Sequence, residues 1–313
     1  SGGEPTVRDD LPEIVRAAFE SGCAHVQLNT NGIRLAEDPA YAARLAEAGI
    51  DSPRLEADLL IRHITGWERA SLLAHPERLF PDGLFPVLAE ALERRAAREP
   101  LQYITGVCEF MDRTFQVGPG CLIPRPETEL LVLESRKYFR EGIFLDWGTG
   151  SGCIAASILL ENPESRCVAV DGSPRAITWA WRNFKERGLL GRCLLCHSPS
   201  FERISMPPGG FRMIVSNPPY IPTEVIPDLM PEVSRYEPLY ALDGGDDGSD
   251  HYRSLARWAR TALAPGGTLI VEMGSDEQAE ELISVTRGAM TVLSVVRDLQ
   301  GSARVVVLKR SPF

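Results

Sequence analysis

The run Asp146-Trp147-Gly148-Thr149-Gly150-Ser151-Gly152 places three glycines at alternate positions, directly after the apolar stretch IFLDW and before a helical one. Gly148, Gly150 and Gly152 let the backbone turn sharply and approach a ligand closely. With Thr149 between them, they lead into a helix start whose N–H groups have no internal partners. Asp171 ends the next apolar run, CVAVD, where a carboxylate accepts the two hydroxyls of a ribose. Together these residues describe a nucleoside-binding site. The spacing is GxGxG, Cys153 stands where a dinucleotide fingerprint has its third glycine, and no Gly-Lys-Ser/Thr of a phosphate loop follows. Asp146 is placed to meet a cationic amino group. S-adenosylmethionine offers a ribose and an ammonium without a phosphate and fits best. A nicotinamide dinucleotide and a purely structural turn are the alternatives.

Asn217-Pro218-Pro219-Tyr220 follows the apolar run FRMIVS. Consecutive prolines fix φ, remove two N–H donors and turn the chain away from strand pairing. The expected result is a rigid corner with exposed carbonyls and the Asn217 amide directed into the site. An amide or amino nitrogen is a poor nucleophile because its lone pair is delocalised. Two acceptors, the Asn217 side-chain oxygen and the Pro218 carbonyl, would hold both of its hydrogens, favour a pyramidal nitrogen and aim the lone pair at a sulfonium methyl group. That is catalysis by positioning, and it requires no metal and no strong base before attack. Tyr220 is expected to wall the pocket against a planar target, together with Pro219. The bland alternative is an Asn-Pro turn that stops a strand.

The elements that carry these motifs alternate. From Ile143 onward, strands (IFLDWG, CVAVD, CLLCH, FRMIVS, PGGTLIVEMG, TVLSVVRD, ARVVVLKR) are interleaved with helices predicted over 153–160, 173–188, 249–263 and 276–287. Such alternation implies an α/β fold with a mainly parallel sheet covered on both faces, in which ligands bind beyond the carboxyl ends of the strands. Four segments are expected: 1–48, an atypical extension with helices over 11–21 and 38–48 and a strand at HVQLNTNG; 49–100, a helical substrate-docking domain built from SPRLEADLLIRHITG and FPVLAEALERRAARE; 101–142, a linker with short β pieces (FMDRTFQVG) and the loop LIPRPETELLV; and 143–313, the ligand-binding domain.

Composition narrows the classes. The 313 residues are 44% hydrophobic and 24% charged, as in an ordinary globular protein, and no apolar run approaches the ~18–20 residues of a membrane span. A net charge of −10 argues against broad nucleic-acid binding. The acidic start SGGEPTVRDDLPE lacks the pattern of a secretory or transit signal, so a cytoplasmic monomer without membrane contact is expected. Seven scattered cysteines suit reduced thiols. Cys193 and Cys196 form a lone CxxC without the second pair that zinc requires. The five histidines show no ligand spacing and are read as structural or solvent-facing.

SPRLEADLL, EPLQYITGVCEF, LIPRPETELLV, LDWGTGSGCIA, IVSNPPYIP and EPLYALDGGDDGSDHYR together give residues 50–308 a resemblance to the protein-(glutamine N5) methyltransferases of peptide-chain release factors, the PrmC/HemK family. The NPPY motif is shared with adenine-N6 methyltransferases and does not select the substrate; the combination with LIPRPETE and YEPLYALDGGDDG is more specific. The resemblance implies a helical N-terminal domain, a β-hairpin linker and a Rossmann-like class I methyltransferase domain with a seven-stranded sheet. It also implies methyl transfer from S-adenosylmethionine, leaving S-adenosylhomocysteine, to the glutamine of the GGQ loop in class I release factors. Asp146, Gly148, Gly150, Asp171 and Asn217 would contact the cofactor. Asn217 and Pro218 would hold the glutamine amide, and Arg125 and Glu127 would build the substrate side. For Arg125-Pro126-Glu127 a proline-bounded helix cap with a surface ion pair is the alternative.

The chain departs from the family pattern where an acidic residue commonly follows the third strand: CHSPSFERI offers Ser198 or Ser200, which predicts weaker cofactor binding. Trp147 and Gly172 replace usual aliphatic residues, and EMGSDEQ follows the family's strand end only loosely. Residues 1–48 resemble an internal piece of radical-SAM enzymes, including the element GGEP, yet the CxxxCxxC cluster motif of those enzymes is nowhere in the chain. Two rival functions stay open at this point: an amino-methyltransferase acting on nucleic-acid adenine, and a binding protein whose catalysis has weakened.

Overall fold

The computed structural model describes residues 39–75 and 80–312, so the helix over 11–21 and the strand HVQLNTNG expected from sequence lie outside the described residues. The chain divides into two compact units between Thr105 and Gly106.

The described part of the first unit is helical: α1 Pro39–Glu47, α2 Pro53–Thr65, α3 Arg69–Ala74, α4 Phe85–Ala96 and α5 Leu101–Thr105. Pro53 opens α2, where a missing N–H costs nothing. Gly66 ends it in the left-handed region (φ +70), with its N–H on the Arg62 carbonyl. The apolar faces of α2 and α4 meet over Leu60, Ile61, Leu88 and Leu92, with Leu45 and Phe80 completing the core. Arg95 on α4 is nearly buried and is paired with Glu56 of α2, so the helices are joined by one buried charge pair as well as by apolar surface.

The second unit begins with a hairpin, β1 Val107–Phe110 and β2 Arg113–Gln116. Its turn residues Met111 and Asp112 both have positive φ (+51 and +55), the geometry of a tight turn matched to strand twist. After a short helical turn at Pro126–Thr128, helix α6 runs over Glu129–Tyr138. The alternating region follows: β3 Ile143–Trp147, α7 Cys153–Glu161, β4 Arg166–Asp171, α8 Pro174–Glu186, β5 Cys193–His197, β6 Phe211–Ser216, α9 Asp250–Ala262, β7 Leu263–Glu272, α10 Asp276–Thr286, β8 Met290–Arg297 and β9 Ala303–Arg310.

These strands form one seven-stranded sheet in the order β5-β4-β3-β6-β7-β9-β8, parallel except where β9 pairs with β7 and β8. The expected Rossmann-like α/β architecture is present. Side-chain alternation sends Phe144, Met213, Val215, Ile270 and Val307 to one face, beneath α6, α7 and α8, and Leu145, Ile214, Leu269 and Val306 to the other, beneath α9 and α10. Both faces are therefore dry, as a parallel sheet requires. Between β6 and α9 the chain runs through short helical turns at Thr223–Asp228, Glu232–Tyr236 and Leu239–Ala241. The proline- and glycine-rich composition of this stretch denies it a longer element.

Candidate active site

β3 and β6 are adjacent and parallel, with Trp147 level with Ser216. The glycine loop leaves the carboxyl end of β3, and Asn217-Pro218-Pro219-Tyr220 leaves that of β6. On one side of this pair the chain continues to β4 and β5, on the other to β7, so the two loops flank the topological switch point where a ligand cleft is expected.

Gly148, Gly150 and Gly152 all have positive φ (+76, +55 and +79), a conformation that side chains with a Cβ resist. The N–H groups of Gly148 and Thr149 donate to the Val170 carbonyl, both at 2.9 Å, which draws the loop onto the end of β4. A Cβ on Gly152 would come within 3.0 Å of the Phe184 ring on α8. Asp171 accepts from Gly150 N (2.9 Å) on one carboxylate oxygen and from Ser173 N (2.8 Å) on the other. Each oxygen keeps a lone pair, and the residue faces a cavity of about 270 Å³.

Of the residues expected to contact the cofactor, Gly148, Gly150, Asp171 and Asn217 line that cavity, and Pro219 joins them. Asp146, Thr149 and Gly152 do not line it. Asp146 is wholly buried beneath the loop, its Oδ2 accepting from the Thr149 hydroxyl at 2.7 Å, and its Oδ1 has no hydrogen-bond partner among the described residues. Burial pushes the Asp146 carboxyl up to about 7, against the opposing pull of the Thr149 hydrogen bond and the Ala155 N–H. Burial likewise raises Asp171, against the N–H groups of Gly150 and Ser173. Asp171 keeps acceptor lone pairs beside the glycine loop in the cavity wall, the chemistry that the two hydroxyls of a ribose require, whereas the unpartnered Asp146 oxygen lies beneath the loop, outside that wall.

A second cavity of about 180 Å³ shares Leu122, Asn217 and Ala241 with the first and adds Arg125, Pro218 and Tyr220. Asn217 thus stands in the wall between two hollows. Its Nδ2 donates to the Thr128 hydroxyl at 3.1 Å, which leaves Oδ1 uncommitted among the described residues. Arg125 pairs with Glu237, and Glu237 also accepts from Ile123 N. The partner foreseen for Arg125 at the surface is instead a buried carboxylate. Glu127 is exposed and lines neither cavity. Tyr220 forms part of the second cavity, and burial followed by the nearby Glu272 pushes its phenol up to about 12. A larger hollow of about 660 Å³ touches Tyr220 and Ile221 but no residue of the glycine loop, so its size does not make it the reaction site.

Tyr240 and His251 in the cavity wall were not foreseen, whereas Ser198 was one of two serines expected there. Tyr240 lines the first cavity and donates to the Gly120 carbonyl at 2.7 Å, closing one side of it. Ser198 is buried in the cavity wall, its hydroxyl donating to the Ser200 carbonyl (2.9 Å), whereas Ser200 is not part of the wall. His251 also lines the cavity, and burial lowers its pKa. Trp147 stacks on Phe201 at 3.8 Å, and Phe201 on Trp258 at 5.0 Å, so the indole beside the glycine loop is absorbed into a ring stack. Cys193 packs on one face of the sheet and Cys196 on the other, because strand positions three apart point oppositely. No group of three or more His, Cys, Asp or Glu suited to a metal occurs among the described residues.

The chain matches two family models: the PrmC N-terminal domain over residues 40–106 and the methyltransferase small domain over residues 126–229. It is 40% identical to the release factor glutamine methyltransferase of Caulobacter vibrioides over 86% of this chain and 94% of that one. It is also 40% identical to the protein of the same name from Geobacter sulfurreducens, over 84% of this chain and 91% of that one. Among solved structures it resembles a release-factor-specific protein-(glutamine-N5) methyltransferase from Alicyclobacillus acidocaldarius, 32% identical, covering 63% of this chain and all of that one, with a TM-score of 0.37.

Proposed function

From the premise that this chain belongs to the release factor glutamine methyltransferase family, we propose that Asn217 and Pro218 hold the side-chain amide of the target glutamine in the second cavity while S-adenosylmethionine fills the first. The protein is an S-adenosylmethionine-dependent protein-glutamine methyltransferase that acts on release factors.

The observation that carries the residue assignment is the position of Asn217 in both cavity walls. With Nδ2 committed to Thr128, Oδ1 is the acceptor for one hydrogen of the incoming amide, and the Pro218 carbonyl is the acceptor for the other. Bound in the first cavity, S-adenosylmethionine supplies a methyl group activated by its sulfonium. Gly148, Gly150 and Asp171 hold the nucleoside half, and Asp146 counters the ammonium charge from beneath the loop. Tyr220 and Arg125 shape the side that receives the glutamine, which we assign to the GGQ loop of a class I release factor. The helical unit that matches the PrmC N-terminal domain is assigned to docking of that substrate, with the protein acting as a cytoplasmic monomer.

The test uses methyl-labelled S-adenosylmethionine with a release factor carrying GGQ and with a GGA version. Label confined to the GGQ protein is expected; equal label in both, or label in added DNA or RNA alone, would overturn the assignment.

A further inference from the structure

Ser275-Asp276-Glu277-Gln278 opens α10 with the spacing of a capping box, in which the fourth residue reaches back to a main-chain N–H ahead of the helix. The Ser275 hydroxyl accepts from Gln278 N at 3.3 Å. The Gln278 side chain, in a residue 6% exposed, reaches back one position further than the box requires, its Oε1 accepting from Gly274 N at 3.0 Å. A glutamate would cap equally well and would suit the positive end of the helix better. What glutamine adds is an NH2 group, and both of its hydrogens are engaged. Nε2 donates to the Tyr220 carbonyl at 2.8 Å and to the Gly248 carbonyl at 3.2 Å. One buried side chain thereby joins the end of β7, the NPPY corner and the DGGDDGS turn that precedes α9.

The packing around this amide is main chain against main chain. A Cβ on Gly248, which has positive φ (+73), would collide with the Tyr220 carbonyl oxygen and come within 2.6 Å of Gln278 Nε2. One on Gly274 would come within 2.6 Å of the Tyr220 ring and 2.7 Å of Gln278 Oε1. Gln278 lines neither the first cavity nor the second, only the larger hollow of about 660 Å³. Its link to the second cavity is Tyr220, which lines both that cavity and the larger hollow.

We propose that Gln278 is a positioning residue for methyl transfer: by holding the Tyr220 carbonyl it fixes the far end of the NPPY corner, and with it the direction of the Pro218 carbonyl that accepts from the target amide. The proposal rests on the role given to Asn217 and Pro218 above. Ser216, the last residue of β6, pins the near end through strand pairing and through its hydroxyl, which donates to Trp147 O at 2.7 Å. Between these ends Pro218 and Pro219 lock φ and have no N–H by which to be anchored. The corner is therefore a short, stiff lever. Releasing Tyr220 swings the Pro218 carbonyl and the Tyr220 ring together, away from the glutamine.

The test compares Gln278→Glu and Gln278→Met with wild type on the full chain, by single-turnover methylation of a release factor at saturating concentrations of both substrates and at pH 9. Glutamate, ionised at that pH, keeps the acceptor for Gly274 N but turns oxygen toward two carbonyls. Methionine keeps the length of the side chain and loses all three bonds. Both variants are expected to fall roughly ten- to hundredfold in rate, the scale of a misplaced contact in a positioned site, while calorimetric cofactor affinity stays within about twofold. Near-normal turnover in either variant overturns the clamp. So does a loss that follows weakened cofactor affinity, which would make Gln278 a support of the fold alone. Should a variant fold poorly, wild type carrying isotopically labelled glutamine decides the matter by magnetic resonance. The Gln278 side-chain hydrogens are expected to exchange slowly with solvent and to shift when release factor is added; fast exchange, or no shift, overturns the proposal. An Asn217→Ala variant with near-normal turnover would instead overturn the underlying reading, so the two failures are told apart.

Discussion

Arg125 and Glu237, 112 residues apart in the chain, form an ion pair in which the carboxylate is buried and the guanidinium is about one-third exposed. Glu237 uses its other oxygen for Ile123 N, so it grips the PRPET loop at two points. A few residues on, the loop is tied to the continuation of NPPY: Ile221 N donates to Leu242 O at 2.9 Å, and Gly244 N to Ile221 O at 2.8 Å. The segments LIPRPETE and YEPLYALDGG are thus two sides of one wall, with the double-proline corner clamped between them.

Arg125→Ala leaves the Glu237 carboxylate buried without its charge partner. Breaking a buried pair costs about 3–5 kcal/mol; with Arg125 partly in solvent, about 2 kcal/mol is expected here. Urea unfolding checks this, with an unchanged denaturant slope. Turnover should fall as well, since the second cavity loses part of its lining, and Arg125→Lys should recover stability better than activity because a single ammonium cannot reproduce the fork of a guanidinium.

Asn217→Ala removes the acceptor assigned to one amide hydrogen. A loss of roughly 10²-fold or more in turnover is expected, by analogy with removing a transition-state hydrogen-bond partner. Single-turnover rates at saturating release factor measure it. A loss confined to KM would mean that Asn217 binds the substrate without orienting it.

Much of this arrangement was legible before any coordinates. Strands alternate at period two and helices at 3.6, and the ends of β3, β4 and β6 carry motifs whose residue types have few other uses. The unread part lies where local pattern is silent. Residues 221–248 have no period, and Glu237 and Tyr240 acquire a role only through partners about 110–120 residues away. The hairpin turn at Met111-Asp112 carries no glycine or asparagine to announce its positive φ.

Asp146 gives a pH dependence of stability with a definite sign. Its carboxyl is raised by burial to about 7, above the ~3.9 of an unfolded chain. Between these values the folded protein binds more protons than the unfolded one, so the contribution of Asp146 is fully present below about pH 4 and is lost as pH rises through about 7. Asp146→Asn removes that dependence. The wild type minus variant difference in unfolding free energy should therefore decline from pH 4 to 8 when the proteins are free of ligand. Binding of a cationic amino group favours the ionised form, so cofactor binding at about pH 6 should release protons in wild type and fewer in Asp146→Asn, as calorimetry in two buffers of different ionisation enthalpy would detect. Equal proton release in both proteins would separate Asp146 from the ammonium.

Ser198 offers the last test, because of the two serines expected near the adenine it is the one in the cavity wall. Its hydroxyl is spent on the Ser200 carbonyl, so it presents the cavity with an acceptor lone pair and no charge. An exocyclic amino group on a purine there would receive a weak hydrogen bond. Ser198→Asp supplies a charged acceptor at a position that is 4% exposed, and a charge-assisted hydrogen bond is roughly twice as strong as a neutral one. Burying the carboxylate in the ligand-free protein offsets part of the gain. The balance predicts S-adenosylmethionine binding tighter by about five- to tenfold, roughly 1 kcal/mol, at a small loss of unliganded stability. Titration calorimetry at pH 8, where the new carboxylate is charged, measures the first, and thermal unfolding with and without cofactor measures both. An affinity unchanged or weakened at that pH would place the purine elsewhere along the cavity, toward the Tyr240 side.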